Sequence, residues 1–141
     1  MDVPPHPHTG LQTVSWLFEG EIEHRDSVGS LATIVPGQVN LMTAGAGIQH
    51  SEVSTARATG LHGVQLWVAL PHADRDTARD FAHYAPDPGA AGDGVIARVF
   101  LGELAGQSGE QFQTPHAQTE QLLVGRVNVP NRSDHSSGGP G

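Results

Sequence analysis

The sequence contains no cysteine and no lysine. The absence of cysteine excludes disulfide bonds, thiolate metal sites and cysteine nucleophiles, so any metal ion would have to bind histidine and carboxylate side chains. The seven basic residues are all arginines and face fifteen acidic residues, which gives a formal net charge of -8. Because this charge would repel a phosphate backbone or an anionic lipid surface, we expect no direct nucleic-acid contact and no membrane partner.

Long hydrophobic runs are missing as well. No uninterrupted apolar run approaches the roughly 20 residues that a membrane-spanning helix needs, and the first nine residues lack the basic and apolar segments of a signal peptide. We therefore expect a cytoplasmic protein. The length of 141 residues is enough for one domain with a core and too short for two full-sized domains.

Three residue types are abundant. The 18 glycines and 10 prolines favour short strands and tight turns over long helices, so the sequence predicts an all-β fold. Nine histidines are many for a chain of this length, and they are the first indication of a site that binds a metal or moves protons.

Segments that alternate in polarity or are rich in β-branched residues predict the strands. Pro36 and Gly37 predict a tight turn that joins two of these strands into a hairpin. A single short helix is predicted over residues 74–84, since Asp74 could cap it and Phe81 and Ala82 share a face. The predicted strands cover residues 11–18, 21–26, 32–35, 39–42, 50–53, 64–70 and 95–101.

Two pairs of potential ligands are each separated by one residue in the sequence. Side chains two residues apart on a strand point to the same face, about 6.6 Å apart at the backbone. His6 and His8 can therefore converge on one ion, and so can His50 and Glu52. Inside a barrel they would supply three imidazoles and one carboxylate, which suit Fe, Mn, Ni, Cu or Zn better than Ca or Mg. Taken alone, each pair is more often an incidental surface feature.

Three segments together resemble the N-terminal half of the pirins, the quercetinase-like bicupins: HPHTGLQTVSWLFEGEIEHRDSVGS, PGQVNLMTAGAGIQHSE and GVQLWVALP. The resemblance covers about residues 3–102. It implies a cupin-type double-stranded β-helix, a jelly-roll barrel that would be incomplete in this chain. It also implies that the metal, commonly iron and here expected as Fe(II), is bound by the two histidines of HPH and by the H-x-E pair, which are His6, His8, His50 and Glu52.

The resemblance also implies a reaction. Family members are similar to quercetin 2,3-dioxygenases, in which a flavonol bound to the metal reacts with O2 and its central ring opens with release of carbon monoxide. Glu52 would be either a ligand or the catalytic base that takes the flavonol hydroxyl proton. Two alternatives stay open. The first is a non-enzymatic, redox-responsive transcription cofactor that binds a protein partner, and the second is an inactive fragment.

The chain departs from the family pattern in two ways. Many members continue the first motif as HRGFET, whereas this chain has Thr9 and Gln12 in place of the arginine and the glutamate. The second departure is one of length, and we interpret the chain as a truncated or misframed product. Its predicted parts are a cupin domain at residues 1–84, a linker with the first strand of a truncated second domain at 85–106, and a disordered tail at 107–141.

The other histidines and the tryptophans have more ordinary interpretations. His24 is expected to be a structural strand residue outside the site. Both tryptophans are more often buried in cores than used in ligand binding, although Trp67 lies opposite the apolar face of its strand and is expected to be exposed. The remaining histidines are expected at the surface: His62, His72, His83, His116 and His135.

Overall fold

The structure, a computed structural model, describes residues 1–85 with their side chains and, beyond them, the backbone of five strands at 89–90, 95–99, 103–104, 107–108 and 124–128. These parts contain thirteen strands and one short 3-10 helix, η1. The strands are β1 Asp2–His8, β2 Leu11–Glu19, β3 Ile22–Asp26, β4 Leu31–Ile34, β5 Val39–Thr43, β6 Ile48–Ser54, β7 His62–Ala69, β8 Asp80–Tyr84, β9 Gly89–Ala90, β10 Val95–Val99, β11 Glu103–Leu104, β12 Gln107–Ser108 and β13 Val124–Asn128.

Two four-stranded antiparallel sheets make up residues 1–85. Sheet A has the order β1-β6-β3-β4, and sheet B has the order β7-β2-β5-β8. Neighbouring strands are mostly distant in the chain, as in a jelly roll. The prediction of an all-β, cupin-type fold is therefore confirmed. Among the described residues, no helix is long and apolar enough to cross a membrane.

Sheet A buries one face, and burial alternates along its strand β6. On β6, Ile48, His50 and Glu52 are buried, while Gln49 and Val53 are exposed. A period of two places alternate side chains on the same side of a strand. The buried face of sheet A therefore carries titratable side chains in its middle, where most sheets carry aliphatic ones.

Sheet B buries side chains on both of its faces, and the two faces differ in chemistry. One face has an apolar cluster made of Val14, Trp16, Val39 and Leu41, against which residues of β7 and β8 also pack. The other face is turned to sheet A, since Gln65 reaches Glu52 and Phe81 lies against His24. This second face includes several polar side chains, among them Thr13, Ser15, Asn40 and Gln65.

The prediction of a helix over residues 74–84 is wrong. The structure has the 3-10 helix η1 at His72–Asp74 and then the strand β8, which pairs with β5. Phe81 packs against the cluster around Met42, whereas Ala82 and Tyr84 pack on the opposite side against the apolar cluster of sheet B. Apolar side chains that are buried on both sides of a segment do not form the single apolar stripe of an amphipathic helix. Pairing with β5 provides the hydrogen bonds that the backbone of this segment needs.

The predicted hairpin at Pro36 and Gly37 is also wrong. The strand β4 pairs with β3 in sheet A, whereas β5 pairs with β2 in sheet B. Gly37 has a φ of 86°, so the turn predicted here does form. This turn leads the chain from sheet A to sheet B, because the apolar residues before the turn and those after it pack in different layers.

The predicted strand at residues 95–101 corresponds to β10, which pairs with β9 and β13. Two strands, β12 and β13, lie within the range 107–141 for which the sequence predicts a disordered tail. The rest of that range lies outside the described residues, so the tail and the domain boundaries stay predictions.

Candidate metal centre

The central strand of sheet A brings the candidate ligands together. His6 on β1 lies opposite His50 on β6, and on the other side of β6 His24 lies opposite Glu52 and Asp26 lies opposite His50. Directly opposed residues of an antiparallel ladder have side chains on the same face. Three strands that are distant in the sequence therefore place their polar side chains on one buried surface.

The first group of side chains, the histidine triad, consists of His6, His8 and His50. One ring nitrogen from each lies within 4.8 Å of the others. The ring centroids are 4.8 Å apart for His6 and His8, 4.4 Å for His6 and His50, and 5.0 Å for His8 and His50. The structure thus brings together three of the four ligands implied by the sequence.

The triad presents nitrogen atoms that the protein itself does not satisfy. The Nε2 atoms of His8 and His50 are buried and have no hydrogen-bond partner among the described residues. In His6, Nδ1 donates to the carbonyl oxygen of Pro4 at 2.9 Å, which leaves the Nε2 lone pair of a neutral ring free. A buried polar atom without a partner costs about 1–3 kcal/mol. A divalent transition metal is the kind of ligand that these lone pairs fit.

The surroundings keep two rings of the triad neutral. Burial, followed by charge repulsion from the neighbouring histidines, lowers the pKa of His50 to about 4. Burial also lowers the pKa of His8, with a contribution from His6, while Glu52 acts in the opposite direction. Only a neutral imidazole binds a metal, so the electrostatics of the triad favour metal binding at neutral pH.

The second group, the carboxylate group, consists of His24, His50 and Glu52, whose ligand atoms also lie within 4.8 Å of one another. It shares His50 with the histidine triad. Glu52, the fourth ligand implied by the sequence, thus belongs to this group and not to the triad. All three residues are buried, and His24 is only 1% exposed.

The carboxylate of Glu52 is held from the opposite sheet. Gln65 on β7 donates from Nε2 to the two carboxylate oxygens at 3.0 and 3.2 Å, and also to the hydroxyl of Ser15 at 3.0 Å. Trp67 in turn donates from Nε1 to the amide oxygen of Gln65 at 3.2 Å. Trp67 is exposed, as predicted, and its ring and that of His8 make a T-shaped contact with a centroid distance of 4.8 Å.

His24 is held by a carboxylate on its own strand. Its Nε2 donates to Oδ2 of Asp26 at 3.2 Å, and Oδ1 of Asp26 accepts from the backbone amides of Val28 and Ser30. Burial acts to raise the pKa of Asp26, but these hydrogen bonds outweigh it and the pKa lies below its usual value. The ring of Phe81 stacks on His24 at 4.3 Å.

Sequence reasoning missed two residues of this site. His24 has a carboxylate two positions later, which is the same alternate spacing as in the pair of His50 and Glu52, and this was the available signal. The signal for Gln65 was weaker: this residue is an amide in an otherwise apolar alternating strand. Gln12, in contrast, donates to Thr43, and this described hydrogen bond lies away from both groups.

The remaining histidines lie outside both groups wherever the structure describes them. His83 donates to the amide oxygen of Asn40 at 2.8 Å, and the ring of His62 contacts Phe18. His72 is exposed in η1. His116 and His135 lie outside the described residues.

Comparisons with known proteins show to which proteins this chain is similar. The family model described as Pirin matches residues 1–68. The chain is 50% identical over 105 residues to a candidate quercetin 2,3-dioxygenase of Pseudomonas aeruginosa, with 74% of this chain and 33% of that protein covered. It is also 50% identical over 111 residues to a pirin-like protein of Caulobacter vibrioides, with 74% and 38% covered.

Among solved structures, a quercetin 2,3-dioxygenase from Acinetobacter baumannii superposes with a TM-score of 0.72 at 45% identity, covering 77% of this chain and 36% of that one. The chain thus spans between a third and two fifths of the length of these relatives. Residues 1–68 in the N-terminal part of the chain thus match the pirin family model.

Proposed function

We propose that His6, His8, His50 and Glu52 bind one divalent transition metal, Fe(II), and that the protein uses it to open the central ring of a flavonol with O2. The observation that carries this proposal is the histidine triad, in which buried imidazole nitrogens converge without hydrogen-bond partners. Without a bound ligand, these unpaired buried atoms lower the stability of the protein.

The names of similar proteins support the choice of substrate. Both the Pseudomonas relative and the Acinetobacter structure carry the name quercetin 2,3-dioxygenase. Because this chain spans only part of their length, their activity comes to it as a proposal. An exposed tryptophan next to His8 is an aromatic surface on which a flat flavonol ring can stack.

The roles of the chain's own residues follow from their contacts. The metal, when bound, supplies Lewis-acid polarisation that lowers the pKa of the flavonol hydroxyl. Glu52 lies beside His50 and accepts hydrogen bonds from Gln65 on both oxygens, so it is oriented either as the fourth ligand or as the base for that hydroxyl proton. Gln65 and Trp67 position Glu52 and are not themselves reactive.

The test measures metal uptake and turnover on the full chain. The protein is purified without oxygen and loaded with Fe(II), and the iron per chain is determined. Quercetin is then added in air while its absorbance, O2 uptake and carbon monoxide release are followed. We expect one iron per chain and loss of the flavonol absorbance in the native chain, and neither in His50→Ala. His72→Ala, which replaces an exposed histidine outside the site, is the matched control and should behave like the native chain.

The possible outcomes separate the proposed function from its alternatives. Iron bound without consumption of quercetin or O2 contradicts the dioxygenase and favours a redox-responsive cofactor that binds a protein partner. An absence of iron uptake in a chain that folds, as judged by circular dichroism, contradicts both functions and favours an inactive fragment.

A further inference from the structure

A row of buried polar side chains lies behind His50, on the side away from its unpaired nitrogen. His24 donates from Nε2 to Oδ2 of Asp26 at 3.2 Å, and its other nitrogen, Nδ1, lies 3.5 Å from Nδ1 of His50. The side chain of Asp26 is 0% exposed, and that of His24 is 2% exposed. The row therefore runs from a carboxylate, through one imidazole, to a second imidazole in the metal site.

The chemistry of the carboxylate gives this row a direction. A carboxylate only accepts hydrogen bonds, so the hydrogen between Asp26 and His24 belongs to Nε2 of His24. In a neutral ring the Nδ1 atom of His24 then has a lone pair, which can only accept. The hydrogen between the two rings therefore belongs to Nδ1 of His50, and the Nε2 atom of His50 keeps its lone pair. This Nε2 is the buried nitrogen that has no partner among the described residues.

We propose that Asp26 and His24 are positioning residues that fix His50 in the tautomer with its hydrogen on Nδ1 and its lone pair on Nε2, directed to the metal. The consequence for metal affinity rests on the function proposed above. The tautomer itself is a property of the metal-free chain.

Two further contacts hold the row in place. Oδ1 of Asp26 accepts from the backbone amides of Val28 and Ser30 at 3.0 and 2.9 Å, so the carboxylate cannot turn without breaking both bonds. The ring of Phe81 lies 4.3 Å from that of His24 with an angle of 23° between the planes, and it covers one side of the imidazole. The 3.5 Å between the two Nδ1 atoms is at the long end for a hydrogen bond.

The competing role for His24 is that of a metal ligand, since its ligand atom lies within 4.8 Å of those of His50 and Glu52. As a ligand, His24 would direct a lone pair at the ion, and its removal would change the number of nitrogen ligands. As a positioning residue it leaves the ligand set unchanged. The two roles therefore differ in a spectroscopic signature of the bound metal.

The decisive variant is Asp26→Asn, which reverses the row. The amide oxygen can keep the two backbone hydrogen bonds of Oδ1, which places the NH2 group against His24. His24 must then accept at Nε2 and carry its hydrogen on Nδ1. Nδ1 of His50 becomes the acceptor, and the hydrogen of His50 moves to Nε2, where it blocks the metal.

The primary measurement is nitrogen NMR of the metal-free full chain, recorded well above the ordinary histidine pKa of about 6.5. It reports which ring nitrogen of His50 carries hydrogen. We expect Nδ1 in the native chain and Nε2 in Asp26→Asn. A native His50 that carries its hydrogen on Nε2, or an Asp26→Asn variant with an unchanged tautomer, overturns the proposal. Glu23→Gln, the same change on an outer-facing carboxylate of β3, should leave the tautomer unchanged.

The second measurement is Co(II) affinity, which should fall about 10–100-fold in Asp26→Asn, as for other partners of metal-bound histidines. His24→Phe keeps an aromatic ring against Phe81 and serves if Asp26→Asn does not fold. At saturating Co(II), an unchanged visible absorption band in His24→Phe supports positioning, whereas a shifted band makes His24 a ligand and overturns the proposal. If the native chain binds no Co(II), the proposed function fails while the tautomer result still stands.

Discussion

The two groups that share His50 differ in how their polar atoms are satisfied. In the histidine triad, the Nε2 atoms of His8 and His50 are buried without a described partner. In the carboxylate group, Glu52 accepts from Gln65, and His24 donates to Asp26. One side of the site is therefore left open for a ligand, and the other side is fixed by hydrogen bonds.

This difference assigns separate tasks to two clusters of similar composition. An unpaired buried nitrogen lowers stability, and a bound ligand can compensate for this loss. A fully paired buried carboxylate or imidazole holds its neighbours in one orientation. Counting histidines alone would treat the two groups as equivalent, whereas their hydrogen bonds distinguish the triad, which has unpaired nitrogens, from the other group, in which Glu52 and His24 are held in place.

The largest expected effect comes from replacing a triad residue with an apolar one of similar size. His8→Leu removes one potential ligand, so metal affinity should fall by at least about 100-fold. This is the largest loss expected when only a hydrogen-bond partner of a metal ligand is removed, and the loss of a ligand itself should be no smaller. In the metal-free chain the same change removes an unpaired buried nitrogen, so the free energy of unfolding should rise by about 1 kcal/mol. Metal titration and urea unfolding of the metal-free chain measure the two effects.

The matched control for this prediction is His72→Leu at an exposed position of η1, which should leave affinity unchanged and stability within about 0.5 kcal/mol. A metal-free His8→Leu chain that is clearly less stable than the native one would mean that His8 has a structural role. In that case the contrast between an open and a fixed side would be lost at this residue.

The next effect is the pH dependence of the metal-free chain. In the unfolded chain His50 has an ordinary pKa of about 6.5, whereas in the folded chain burial lowers its pKa to about 4. Between these values the unfolded chain binds a proton that the folded chain does not. Stability should therefore be highest above about pH 6.5, fall as the pH drops towards about 4, and stop falling below that for this group.

Urea unfolding across this range checks the pH dependence, and His50→Gln should flatten it because an amide does not titrate. The pKa of His8 is lowered in the same direction, so part of the slope remains. A His50→Gln slope equal to the native one would show that other groups govern the acid sensitivity. Saturating metal should remove most of the slope, since a bound metal excludes the proton from the triad.

The sequence predicts much of the fold because most strands in sheets A and B have a visible alternation or a β-branched run. The strands at Leu11–Glu19, Val39–Thr43 and Ile48–Ser54 lie within about two residues of their predicted ranges. Which strands pair is not visible in the same way. The turn at Gly37 was predicted but the change of sheet was not, because a local turn signal does not say to which layer the following strand belongs.

The same limit explains the prediction of the site. Alternate spacing placed His6 with His8 and His50 with Glu52, since this information is local. The assignment of His24 to the site depends on β3 lying next to β6, a contact that joins residues 22–26 to residues 50–54. Gln65 arrives from the other sheet altogether. The proposed ligand pairs are therefore visible in the sequence, whereas the residues that hold them in place become visible only through the topology.

The smallest expected effect concerns the support of Glu52 by Gln65. Gln65→Met keeps the length of the side chain and removes the amide that donates to both carboxylate oxygens. Glu52 then loses its orientation but remains present, so metal affinity should fall about 10-fold, the lower end expected for a lost partner. Trp67→Phe removes only the indole hydrogen bond that orients the amide of Gln65, so its effect should be smaller still. Competitive metal titration of both variants measures which of them loses more metal affinity. A larger loss of affinity in Trp67→Phe than in Gln65→Met would mean that Trp67 supports the site through its contact with His8.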